Sequence, residues 1–205
     1  MARKGLLGVA SFGLVLAGLG IIIPSRAHAQ NNHGSSTSLG IWSGTFSSLG
    51  SNPGTSSIGT SIDLRSGFTG GARLTYWGTQ TLGVEAVAGL TPAKVDVAGA
   101  TVNETRSLNI FAAGVKLMVG LSPSMSPVRF HIGAGPAIVR RRNDVTSPSN
   151  KTNLGGVFGA GFRFPINTTL GVRLDAEAYV YKGTIGGVAQ TRNSLITSAG
   201  LTIRF

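Results

Sequence analysis

The feature that most constrains this chain is an alternation with a period of two. Leu170, Val172, Leu174, Ala176, Ala178 and Val180 share one side of a run whose other side is Gly171, Arg173, Asp175, Glu177, Tyr179 and Tyr181. Successive side chains of a strand point to opposite faces, so this run is written for a strand. A helix would scatter the apolar set around its circumference. The rhythm recurs in Leu82, Val84, Ala86, Ala88 and Leu90, in Phe111, Ala113, Val115, Leu117 and Val119, and in Phe158, Ala160, Phe162 and Phe164. It recurs again in Leu195, Thr197, Ala199, Leu201, Ile203 and Phe205.

Read along the chain, the alternation predicts strands at about 39–50, 66–78, 82–97, 107–120, 127–142, 151–165, 170–183 and 192–205. The first is the most diluted by Ser and Gly, and Trp42 and Phe46 share its face. The connections alternate in length. Gly78–Thr81 and Pro165–Thr169 are tight and Leu121–Ser126 is moderate, whereas 51–65, 98–106, 143–150 and 183–191 are longer. Short turns at one end and long loops at the other suit a closed, up-and-down antiparallel transmembrane β-barrel, for which eight is the smallest usual strand number. The expected fold class is therefore all-β.

Alternation alone also suits a soluble barrel with an apolar lumen. Two features of the polar face argue for the reverse arrangement. It is rich in glycine (Gly83, Gly89, Gly133, Gly135, Gly159, Gly161, Gly171, Gly200), which is a poor strand former on a solvated surface but fits a narrow interior. It also carries charges of both signs at similar depths: Arg73, Glu85, Lys116, Arg129, Arg163, Arg173, Asp175 and Glu177. A buried charge without a partner is costly, so these eight are expected to neutralise one another as a lumenal network that plugs the barrel.

The ends of the chain fit export. Arg3 and Lys4 precede an apolar run from Gly5 to Ile23, and Ala27-His28-Ala29 follows. That is the layout of a cleaved signal peptide, with the cut placed before Gln30. The organisation read from sequence is a leader at 1–29, a flexible segment at 30–38 and a barrel at 39–205. Loss of Arg3, Lys4 and Arg26 with the leader takes the formal charge from +11 to +8. In an exported chain that excess is expected to face lipid headgroups and lipopolysaccharide rather than nucleic acid. With no cysteine, the chain has no disulfide, no lipoprotein anchor and no thiolate ligand.

Leu82-Gly83-Val84-Glu85-Ala86-Val87-Ala88-Gly89, Ile132-Gly133-Ala134-Gly135-Pro136-Ala137 and Leu170-Gly171-Val172-Arg173-Leu174-Asp175 with Tyr179 resemble strands three, five and seven of OmpA-like eight-stranded outer-membrane barrels. The ending Ser198-Ala199-Gly200-Leu201-Thr202-Ile203-Arg204-Phe205 is similar too, and the likeness spans about residues 66–205. The resemblance implies a location in the outer membrane. It also implies a C-terminal assembly signal at Phe205, read by the barrel assembly machinery. Where the family pattern often places an acidic residue just before the strand-seven tyrosine, this chain has Ala178, with Glu177 beside it.

The residues offer no catalytic, cofactor or metal constellation. His131 falls on the lumenal face with Ser124 and Ser126 in the adjacent turn, and His33 lies in the N-terminal segment; no carboxylate stands at a triad-like spacing from either. The expected role is structural or surface-interacting, and not enzymatic. A narrow or gated pore is the second reading, and a lipid-modifying hydrolase or acyltransferase the third. Among the cations near the loop-side strand ends, alternation sends Arg140 and Arg142 outward, where phosphates of lipopolysaccharide are expected.

Overall fold

The computed structural model describes residues 35–49, 61–64, 66–98, 103–122, 128–143, 151–185 and 188–205. The expected leader, most of the 30–38 segment and the serines at 124 and 126 lie outside them. Every regular element among the described residues is a strand: β1 (Ser36–Leu49), β2 (Ser61–Leu64), β3 (Gly67–Trp77), β4 (Leu82–Ala98), β5 (Asn103–Gly120), β6 (Arg129–Asn143), β7 (Lys151–Pro165), β8 (Leu170–Ile185) and β9 (Val188–Arg204).

From β3 to β9 each strand pairs antiparallel with the next in sequence, and β1 closes the ring by pairing with both β3 and β9. β2 and β3 are one stave in two pieces, since both pair with β4. The two pairings are out of step by one residue, as a β-bulge requires. The result is an eight-stave barrel whose ring closes through the β1–β9 and β4–β5 pairings. At the seam the amide of Phe205 donates to the Thr37 carbonyl at 2.9 Å.

The tight turns are built by side chains that replace missing backbone partners. Thr79 Oγ1 accepts from the amides of Thr81 and Leu82 at 3.2 and 2.9 Å. Asn167 Oδ1 accepts from the amides of Thr169 and Leu170 at 2.9 and 2.6 Å. Both turns lie at the end of the barrel that carries Ser36 and Phe205.

At the opposite end the strands run further than alternation of apolar residues indicates. β4 and β5 continue to Ala98 and from Asn103, and β8 and β9 pair as far as Ile185 and Val188. The long loops expected at 51–65, 98–106 and 183–191 are correspondingly shorter. β1 also begins three residues earlier than expected, with Ser36 opposite Trp77. Ladder hydrogen bonds use backbone groups only, so pairing continues where the side-chain pattern stops.

Burial follows residue parity. Ile41, Phe68 and Leu154 are 66 %, 66 % and 77 % exposed, whereas Glu85, Lys116 and Glu177 are at most 1 % exposed. Apolar residues on the outside and ionised ones on the inside invert the soluble pattern, and an apolar outer band requires an apolar surrounding. The interior has two storeys. Toward the longer loops it is apolar, with Trp42, Phe46, Val87, Ile110, Val139, Val157 and Ile196 in one cluster. Glycine makes the room for it: a Cβ on Gly89 would stand 2.5 Å from the Trp42 ring, and one on Gly71 2.7 Å. The charges occupy the storey nearer Ser36 and Phe205.

Candidate functional site: the lumenal charge layer

Register, rather than spacing in sequence, assembles this layer. Antiparallel pairing sets Glu85 between Thr75 on β3 and Lys116 on β5, all pointing inward. Thr75 Oγ1 donates to Glu85 Oε2 at 2.7 Å, and Lys116 Nζ lies 2.8 Å from Glu85 Oε1. From the far wall β8 supplies Arg173, Asp175 and Glu177 on successive inward positions. Arg173 reaches across the lumen and grips Glu85 with both terminal nitrogens, the Nη2–Oε1 contact being 3.2 Å. Its Nε donates to Asp175 Oδ1 at 2.9 Å. Arg73 pairs with Asp175 Oδ2 and donates to Ser198 Oγ at 3.2 Å. Lys116 also pairs with Glu177, whose Oε2 accepts from the Tyr179 hydroxyl at 3.4 Å.

Six of the eight residues expected in the network therefore meet: Arg73, Glu85, Lys116, Arg173, Asp175 and Glu177. Three cations face three carboxylates, and each carboxylate has at least two partners. That multiplicity offsets desolvation, which a lone pair does not achieve. The other two, Arg129 and Arg163, stand below the layer, and neither makes an ion pair among the described residues. Their place in a balanced network is corrected: the available carboxylates are engaged by cations one storey deeper.

Parity places His131 on the lumenal face, but its partner there is not legible in the sequence. His131 Nε2 lies 3.0 Å from Asp175 Oδ1, although the two are 44 residues apart. Gly161 permits this, since a Cβ there would lie 2.3 Å from Asp175 Oδ1 and 2.8 Å from His131 Nε2. A histidine beside a carboxylate is one half of a general-base arrangement. Here the carboxylate is shared with Arg73 and Arg173, which hold it as an anchor of the ion layer. Ser122 lines the same cavity as His131, but its Oγ accepts from the Phe130 amide at 2.5 Å. Arg73 also lies 5.6 Å from the Trp42 ring centre, a cation–π contact that joins the charged storey to the apolar one.

Near the loop end, Arg140 and Arg142 are exposed on the outer wall, whereas Arg141 turns inward. Arg141 donates to the Tyr181 hydroxyl and lies 5.3 Å from that ring's centre.

A closed eight-stave barrel with an apolar exterior and ionised interior is the architecture of the Gram-negative outer membrane, and the chain matches the outer membrane protein beta-barrel domain over residues 14–205. It belongs to that family. This outer-membrane barrel is similar in fold to OprG from Pseudomonas aeruginosa, with 15% identity, a TM-score of 0.63, and coverage of 85% of this chain and 97% of the other. Neisserial surface protein A is likewise similar, with 15% identity, a TM-score of 0.58, and coverage of 86% and 100%. So is Ail, the attachment invasion locus protein of Yersinia pestis, with 12% identity, a TM-score of 0.51, and coverage of 85% and 100%. No curated protein sequence matches. Given the family, the end with short turns, Ser36 and Phe205 is periplasmic and the end with longer connections is extracellular.

Proposed function

We propose that this outer-membrane barrel is a non-conducting structural or surface-interaction protein whose lumen is closed by the charge layer and the apolar storey above it. The single observation that carries the reading is the crossing of the lumen by Arg173, which joins Glu85 on one wall to Asp175 on the other. A solute would have to break several charge-assisted hydrogen bonds and then pass Trp42, Tyr179 and Ile196. The engagement of His131 and Asp175 in the layer favours a structural histidine over a hydrolase base.

Planar-bilayer recording of the refolded protein tests this. The expected trace is a flat baseline, with discrete openings after Arg173 is shortened to Ala. Regular conductance steps from the unaltered protein would overturn the plug and favour a narrow pore.

Partners are proposed at the outer rim. Arg140 and Arg142 are exposed toward the lipid side while Arg141 is turned inward by Tyr181, which supports contact of the first two with lipopolysaccharide phosphates. The double substitution Arg140→Gln, Arg142→Gln is expected to reduce lipopolysaccharide co-purification while the protein keeps its gel shift on boiling. Equal retention across a salt titration would reject the contact. Assembly through the C-terminal Phe205, a residue 64 % exposed beside the seam, is proposed on the same footing.

A further inference from the structure

The charge layer leaves a remainder. The chain has seven acidic residues. Asp63, Asp96 and Glu104 lie on the extracellular ends of β2, β4 and β5, and Asp144 follows the extracellular end of β6. The periplasmic half thus has three acidic side chains, Glu85, Asp175 and Glu177, and the ion layer engages all of them. Below that layer stand Arg129, Arg163 and Arg204. The Phe205 carboxylate makes no ion pair with them among the described residues.

Their arrangement is unfavourable as it stands. Register places Arg129 directly opposite Arg163, and Arg163 directly opposite Arg173, so three guanidiniums form one row across β6, β7 and β8. Like charges opposite one another on neighbouring strands destabilise a sheet. Arg163 is 8 % exposed, and the Nε atoms of Arg163 and Arg204 are buried without a hydrogen-bond partner. The row opens onto a cavity of about 210 Å³ at the periplasmic mouth, lined by Arg129, Arg163, His131, Ser122, Phe130 and Trp77 among others. A buried guanidinium facing two others and a cavity is a site short of an anion.

We propose that this mouth binds a phosphate anion, with Arg163 at its centre, Arg129 at its entrance and Arg204 adding positive potential from β9. Planar guanidiniums suit phosphate oxygens through paired hydrogen bonds, and Trp77 and Phe130 provide apolar walls beside them. The phosphate could belong to a phospholipid headgroup of the inner leaflet, at whose level the mouth lies, or to free periplasmic phosphate.

The experiment follows heat unfolding of the refolded protein in a zwitterionic detergent by its gel shift. It is run at constant ionic strength against inorganic phosphate in one arm and short-chain phosphatidylglycerol in the other, with chloride as reference. A saturable rise in midpoint in either arm is expected, and the responding arm identifies the source. Arg163→Gln should weaken the response about tenfold or more, and without phosphate its midpoint should equal or exceed that of the unaltered protein, because a self-repelling cation has gone. Arg129→Gln, at an exposed strand end, provides a second variant that keeps the interior intact and should also weaken the response. No saturable rise with either probe, or an undiminished rise in both variants, overturns the proposal.

Discussion

Glu85→Gln is expected to lower the folding free energy of the barrel in lipid vesicles by about 3–5 kcal/mol, the range for removing one member of a buried ion pair. Glu85 is wholly buried and is the acceptor for Lys116, both terminal nitrogens of Arg173, and Thr75. A neutral amide keeps the shape but leaves three buried cations facing two carboxylates, and its NH2 group points a donor at donors. Adding Lys116→Met should restore part of the loss, because it removes the surplus cation and keeps an unbranched apolar stem. The test is a double-mutant cycle by urea titration. Additive effects of the two substitutions, or a Glu85→Gln midpoint equal to that of the parent, would mean that the layer is not a coupled network.

Leu174→Arg and Leu201→Arg should each cost up to roughly 2–4 kcal/mol, the range for a cation on the lipid face at the bilayer midplane, with the smaller loss at Leu201, which lies nearer a strand end. Both leucines point outward in the periplasmic half of long strands, Leu174 opposite Ala199 and Leu201 opposite Val172. Thr168→Arg, in an exposed periplasmic turn, is the comparison and should change assembly by little. Equal assembly yields for all three variants would contradict the assignment of inside and outside.

Which face of each strand turns inward was legible from the residues, because charge and glycine fall on one parity in β8 and the apolar residues on the other. Pairing within the lumen was not. Alternation says that Arg173 and Glu85 both point inward, but not that a register shared by eight staves brings them to one height. The unpaired state of Arg129 and Arg163 was hidden for the same reason: it follows from their standing opposite each other below the available carboxylates.

The apolar storey was also missed as a unit. Val87, Ile110, Val139 and Val157 occupy the inward parity, where charge and glycine drew attention to a polar lumen. Their signal was present in part: Gly71, Gly89 and Gly200 all crowd Trp42, and several glycines at one level imply a large side chain opposite them. Strand ends were illegible for a different reason. Asn103, Glu104, Thr105 and Arg106 are all polar, so their pairing with Val95–Ala98 leaves no apolar alternation to read at the start of β5.

The most direct test of a barrel turned apolar side out is a nitroxide scan of β8. The chain has no cysteine, so single-cysteine variants can be labelled from Val172 to Tyr181 without background. In vesicles, oxygen accessibility should alternate with a period of two. It should be high with little access to a polar nickel reagent at positions 172, 174, 176, 178 and 180, and low for both reagents at 175, 177 and 179. The opposite phase, or a flat profile, would contradict the account.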